Sequence, residues 1–154
     1  MITIRPMRSN EYPRFEESAI ALYADESARA GRVSRESSLK WAEEETKKIL
    51  SKGIETPDHL FYVIEDHSYG SVGYIWCGQD SDRKTRAFLF TILIFTEHRD
   101  QGHGHQALKL LEQDLKGKGY ESIGLHVYTF NERAVQLYRR LGYRETDLVM
   151  SKEV

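Results

Sequence analysis

The sequence predicts an α/β fold built on a mixed sheet, the α+β arrangement, and three observations carry that expectation. Two short β-rich runs, Leu60 to Ile64 and Ser71 to Cys77, flank the polar turn Glu65 to Gly70, which is the layout of an antiparallel hairpin. The run Ala87 to Phe95 is the most apolar in the chain and reads as a strand buried on both faces and central to the sheet. Beyond it, Ala107, Leu108, Leu111 and Leu115 recur at helical spacing, and Ile123, Leu125 and Val127 alternate as in a strand. Strand, helix and strand in that order imply a parallel crossover.

The other elements follow by the same rules. Ile2 and Ile4 alternate with polar neighbours in a short strand that ends at Pro6. A helix capped by Ser9 or Asn10 comes next, with Pro13 in its first turn, where a missing amide donor costs little. Tyr12, Phe15, Ala19 and Leu22 mark its inner face and Gly31 its stop. Ser34 is positioned to cap a second helix with Leu39, Ala42, Thr46 and Ile49 on one face and Gly53 just beyond its end. The acidic run Glu43 to Glu45 in that helix reads as a solvated face. Gly119 ends the third helix. A fourth carries Ala134, Val135, Tyr138 and Leu141 before Gly142, and Tyr143 to Met150 supply a last strand.

Composition excludes several classes. A chain of 154 residues suits one domain, 1–154, that buries its core without disulfide or metal staples. Basic residues number 22 against 24 acidic, a net charge of −2, so there is no basic excess to hold a nucleic-acid backbone and no nucleic-acid partner is expected. No segment has the apolar length that spans a bilayer, and the amino end lacks the charged-then-apolar layout of a signal peptide. A cytoplasmic protein with no membrane partner is the expectation. Cys77, the single cysteine, ends an apolar run and reads as a small buried hydrophobe rather than a nucleophile.

The segment Arg99-Asp100-Gln101-Gly102-His103-Gly104 stands between the end of a strand and the start of a helix. Glycines at alternate positions remove side chains where backbone must approach a ligand. A helix start turns unpaired amides and a partial positive charge in one direction, which suits a pyrophosphate. The spacing is not that of G-x-G-x-x-G, nor does the segment end in Gly-Lys-Ser/Thr, so neither dinucleotide nor triphosphate fingerprints apply.

On these residues the segment resembles the Q/R-x-x-G-x-G/A acetyl-coenzyme A signature of the GNAT family of N-acetyltransferases, with Arg99, Gly102 and Gly104 at the matching positions. An Asn and a Tyr that the family carries further along correspond to Asn131 and Tyr138, in the expected order and spacing. The resemblance runs from about Phe88 to Met150, and the tail Glu145 to Lys152 is similar to those of bacterial members of unassigned substrate.

The resemblance implies a GNAT-like acyl-CoA N-acyltransferase fold, a central mixed sheet flanked by helices on both faces. Two parallel strands, ending near Ile94 and Val127, would splay into a cleft. Ile92, Leu93 and Ile94 would pair with the pantetheine arm through their backbone. Arg99, Asp100, Gln101, Gly102, His103 and Gly104 would hold the pyrophosphate, assisted by His105, with Asn131 contacting the cofactor while it caps the last helix. Acetyl-CoA is then the acyl-donor cosubstrate, and a small-molecule or protein amine attacks it directly in a ternary complex.

Such chemistry needs a neutral nitrogen, a polarised thioester carbonyl and a proton for the departing thiolate. An amide at or near Ile94 would serve the carbonyl, and family analogy makes Tyr138 the catalytic proton donor, although its spacing alone reads as core. No base is named: Thr91 stands where many relatives have an acid, which leaves ordered water, His126 or Tyr74. A non-catalytic coenzyme A-binding sensor or scaffold is the alternative. His98, His103 and His105 crowd the loop, but no Asp-His or Cys pair completes a ligand set, so no metal is expected. The acceptor is unread. Dimers are common in the family, which leaves a homodimer open.

Overall fold

A computed structural model describes residues 1–154. Its strands are β1 (Ile2–Pro6), β2 (His59–Asp66), β3 (Gly70–Gln79), β4 (Arg86–Ile94) and β5 (Ser122–Leu125). Its α-helices are α1 (Tyr12–Arg29), α2 (Ser38–Ile49), α3 (His103–Gly117) and α4 (Glu132–Arg140). The strands lie side by side in chain order, antiparallel from β1 to β4 and parallel between β4 and β5, which α3 connects. The mixed sheet, the hairpin and the crossover all form. No helix is long and apolar enough to cross a membrane.

Strand alternation sends successive side chains to opposite faces and so builds two cores. On one face Ile64, Val72, Ile75 and Cys77 meet Ala107, Leu108, Leu111 and Leu115 of α3, with Leu137, Tyr138 and Leu141 of α4 at the margin. On the other, Phe61, Val63, Tyr74 and Trp76 meet Tyr12, Phe15 and Ala19 of α1. Helix α2 seats Ala42 against Ile20 and Ala24 of α1. Cys77 is fully buried, and burial pushes its thiol up to about 12, so it packs rather than reacts.

Several expectations are corrected. Strand β4 is one place in from the β5 edge, not central, and only Ala87 and Leu89 along it are buried, because β5 is too short to cover the rest. Helix α1 starts at Tyr12 with Glu11, not Ser9 or Asn10, at its cap position, and Glu11 spends its carboxylate on the Arg8 amide at 2.8 Å and on Arg5. Helix α2 starts after Ser37, since Ser34 accepts from the Ser37 amide at 3.2 Å in a turn just ahead. Leu39 and Ile49 are exposed because α2 has only α1 to pack against. The last strand does not form. Leu148, Val149 and Met150 are 73%, 95% and 85% exposed, and a stretch that finds no ladder partner stays irregular whatever its propensity.

One guanidinium ties β1, β2 and the start of α1 together. Arg5 donates to both Glu11 carboxylate oxygens at 2.8 Å and pairs with Glu65. The Arg5 hydrogen bonds hold the Glu11 carboxyl at about 2, below its ordinary 4.5. A carboxyl depressed by folding adds stability above pH 4.5 that is lost as pH falls toward 2. Glu11→Gln should therefore lower unfolding free energy by about 1 to 2 kcal/mol at neutral pH and flatten the acid side of the stability curve, as read from urea midpoints across that range.

Candidate active site

Strands β4 and β5 pair from Arg86 opposite Ser122 to Leu89 opposite Leu125 and then part. The chain leaves β5 at His126, before the expected Val127, while β4 continues to Ile94 against β3 alone. The cause lies in β4. Trp76 pairs with Thr91 and Cys77 with Leu89, which leaves Phe90 as an extra residue, a bulge that bends the strand where β5 departs. The Phe90 ring is held there by stacking on Trp76, with centroids 4.4 Å apart and planes at 11°. The implied gap between the parallel strands is present.

The open edge of β4 has defined donors. The Phe95 amide donates to the Val72 carbonyl on the β3 side at 2.8 Å. Amides alternate along a strand, so Leu93 also faces β3, whereas Ile92 and Ile94 face the gap. Of the three residues expected to pair with a ligand, two therefore present their amides. Arg99 donates Nε to the Ile94 carbonyl at 3.1 Å, which fixes its guanidinium at the end of the same edge.

The turn that follows contains two left-handed residues, Asp100 at φ 64° and Gly102 at φ 79°. Helix α3 begins at His103 with no side-chain cap, and the amides of Gly102, His103, Gly104 and His105 meet no protein acceptor. A Cβ at Gly102 would meet nothing within 4 Å, and one at Gly104 only Leu137 Cδ2 at 3.4 Å, so the approach to these amides is clear. Asp100 pairs with Arg133 of α4, and Gln101 is exposed. The His103 ring turns inward, Nδ1 to the His98 carbonyl at 2.9 Å and Nε2 to Asp66 at 3.0 Å, so it offers the turn only its amide. His105 is half-buried in the first turn of α3.

On the far side of the gap, Tyr138 packs against the α3-side core and lies edge-on to Tyr143 with centroids 5.6 Å apart. Burial, helped by the Glu26 carboxylate, pushes its phenol up to about 12, so it keeps its proton at neutral pH. Asn131 stands at the α4 cap position, but its side chain does not cap the helix. Burial raises the Glu26 carboxyl of α1 above its ordinary range, and the Asn131 amide offsets part of that rise. The loop before α4 is drawn onto α1: Arg29 lies over the Phe130 ring at 4.3 Å, and Arg32 donates to the Tyr128 hydroxyl at 3.0 Å.

The base candidates divide. Tyr74 is buried among Phe15 and Phe95, and burial pushes its phenol up, so it holds its proton and cannot accept one. His126 follows β5 with its ring edge-on to Tyr128 at 4.8 Å; burial and Arg32 keep it below the ordinary histidine range. Thr91, opposite Trp76 in the ladder, shares the α1 face. A hollow of about 310 Å³ lined by Arg14, Ser18, Tyr74, Leu93, Phe95 and Arg99 flanks the open end of β4. Another, about 360 Å³ beside Asp58, Lys84 and Lys118, lies at the opposite end of the sheet, away from both motifs.

Residues 16–143 match the model of the Acetyltransferase (GNAT) family. The chain belongs to the GNAT acetyltransferase family. It is 29% identical over 154 residues to the N-acetyltransferase YycN of Bacillus subtilis (strain 168), covering 99% of each chain. It is 24% identical over 153 residues to YdgE of the same organism, covering 99% of this chain and 98% of that one. The crystal structure of YycN from Bacillus subtilis superposes with a TM-score of 0.94 at 28% identity, over 100% of this chain and 99% of that one. As a GNAT member with relatives so named, the protein is an acetyltransferase.

The sequence did not mark Arg133, whose pairing with Asp100 links the turn to α4, because the two are distant in the chain. The two glycines of the turn differ in a testable way. Gly102→Ala should cost about 1 kcal/mol because its φ is left-handed, while Gly104→Ala, in helical backbone with ordinary contact distance, should hold or raise the thermal midpoint.

Proposed function

We propose that the protein binds acetyl-coenzyme A between β4 and β5 and passes the acetyl group to a primary amine, of a small molecule or a protein, in a ternary complex. One arrangement carries this reading: the unpaired edge of β4 from Phe90 to Ile94 runs directly into a turn whose four amides have no protein acceptor. A ligand with an amide-bearing arm and a diphosphate suits both parts, the arm as an added strand and the anion at a helix start. The nearest carboxylate in the turn, Asp100, is paired with Arg133 and so does not repel an anion there.

When bound, the coenzyme supplies an acetyl thioester. The chain's own residues do the rest. The Ile92 or Ile94 amide donates to the carbonyl oxygen as charge gathers on it, an effect worth on the order of a hundredfold in rate. Tyr138 holds a proton for the sulfur.

Calorimetry and steady-state rates test the division of labour. Gly104→Val should raise the Kd for coenzyme A by about tenfold or more by filling the approach to the amides. Tyr138→Phe should leave that Kd within about twofold and lower kcat by about a hundredfold. Equal loss of binding in both variants overturns the assigned roles. Tight binding with no thiol release for any amine makes the protein a coenzyme sensor.

A further inference from the structure

The His103 ring at the head of α3 is only 5% exposed, and both of its nitrogens meet oxygen. Nδ1 lies 2.9 Å from the His98 carbonyl, and Nε2 lies 3.0 Å from the Asp66 carboxylate at the end of β2. A carbonyl oxygen only accepts. The carboxylate only accepts too: the Ser68 amide, donating at 2.7 Å, and the His103 ring hold the Asp66 carboxyl below its ordinary range, so it is ionised at neutral pH. A neutral imidazole has one N–H and satisfies one of these oxygens. Only the imidazolium, with a proton on each nitrogen, satisfies both.

We propose that His103 is a positioning residue for the coenzyme, a doubly protonated ring that closes the loop from His98 to His103 and anchors it to the β2–β3 hairpin. The proposal rests on the coenzyme-binding reading given above. The bond to the His98 carbonyl spans the segment that holds Arg99 and the left-handed Asp100 and Gly102, so it sets the shape in which the amides of Gly102, His103, Gly104 and His105 are presented. Arg99 ties the start of the same segment to the Ile94 carbonyl. A cation at a helix start opposes the helix dipole, and the shielded ion pair with Asp66, itself 11% exposed, offsets that cost. Loss of one proton leaves the remaining N–H with the carboxylate, the stronger acceptor. Nδ1 then turns a lone pair on the His98 carbonyl, the loop loses its closing bond, and the amides lose their common direction.

The titratable groups around the ring are few. Asp66 faces it from β2, and the Met1 amino group ahead of β1 acts on that carboxylate. The His98 ring stands edge-on to it with centroids 6.2 Å apart, and Tyr69 of the β2–β3 turn tilts on His98 at 5.2 Å. Asp66→Asn separates the proton from the scaffold. The carboxamide keeps the Ser68 bond through its oxygen and donates to Nε2 through its nitrogen, so a neutral ring still makes both of its bonds.

Two measurements test the proposal. In nitrogen NMR spectra of the free wild-type protein near neutral pH, both His103 ring nitrogens should be protonated, whereas in Asp66→Asn only Nδ1 should be. The calorimetric probe is dephospho-coenzyme A, whose diphosphate keeps its charge from about pH 6 to about pH 9. Its wild-type Kd should be lowest while the ring is charged and rise about tenfold as increasing pH strips the His103 proton, the size of one lost hydrogen bond. The Kd of Asp66→Asn should stay level over the same range. A singly protonated wild-type ring near neutral pH overturns the proposal, and so does a Kd that follows pH identically in the two proteins. A doubly protonated ring in a wild-type protein that takes up no coenzyme A overturns the coenzyme-binding reading instead.

Discussion

Strand β4 carries polar backbone on both edges, and beyond Leu89 only the β3 edge has a partner. An unmade hydrogen bond on a desolvated amide costs about 1 to 3 kcal/mol, so a fold does not leave such an edge open by default. Here the bulge at Phe90, pinned by Trp76, turns β4 away from β5, and β5 stops after four residues. The amides of Ile92 and Ile94 thus depend on water or a ligand, and the site exists because that pairing was withheld. The uncapped start of α3 repeats the condition a few residues later, with Arg99 bridging the two through the Ile94 carbonyl.

Around that opening the two faces of the sheet supply different chemistry. The α3 face contributes the turn, the inward-pinned His103 and the protonated Tyr138. The α1 face contributes Thr91 and an aromatic group around Tyr128 and Phe130. The faces meet only where β5 has ended, since farther back the paired strands separate them. Arg29 over the Phe130 ring and Arg32 on the Tyr128 hydroxyl tie the loop before α4 to the end of α1 there.

Much of this was readable before any coordinates. Periodicity located all four helices and five strands, because each depends on a local pattern of buried positions such as Ala107, Leu108, Leu111 and Leu115 on α3. The glycine turn was readable because Gly102 needs a left-handed φ that few residues tolerate. What failed were features decided by neighbours distant in sequence. Tyr143 to Met150 has strand propensity but no edge to join, the apolar run in β4 outlasts its cover, and Ser34 serves a turn instead of a helix. Leu93 was grouped with Ile92 and Ile94, since only the bond from Phe95 to Val72 reveals which amides face outward.

The absence of an acid on β4 is the departure with the most consequence for chemistry, and the packing gives it a physical setting. Thr91 stands opposite Trp76, whose indole stacks on Phe90 and donates to His59 Nδ1 at 2.9 Å. A carboxylate at position 91 would enter an aromatic layer with no cation to pair with, and burying it would cost several kcal/mol.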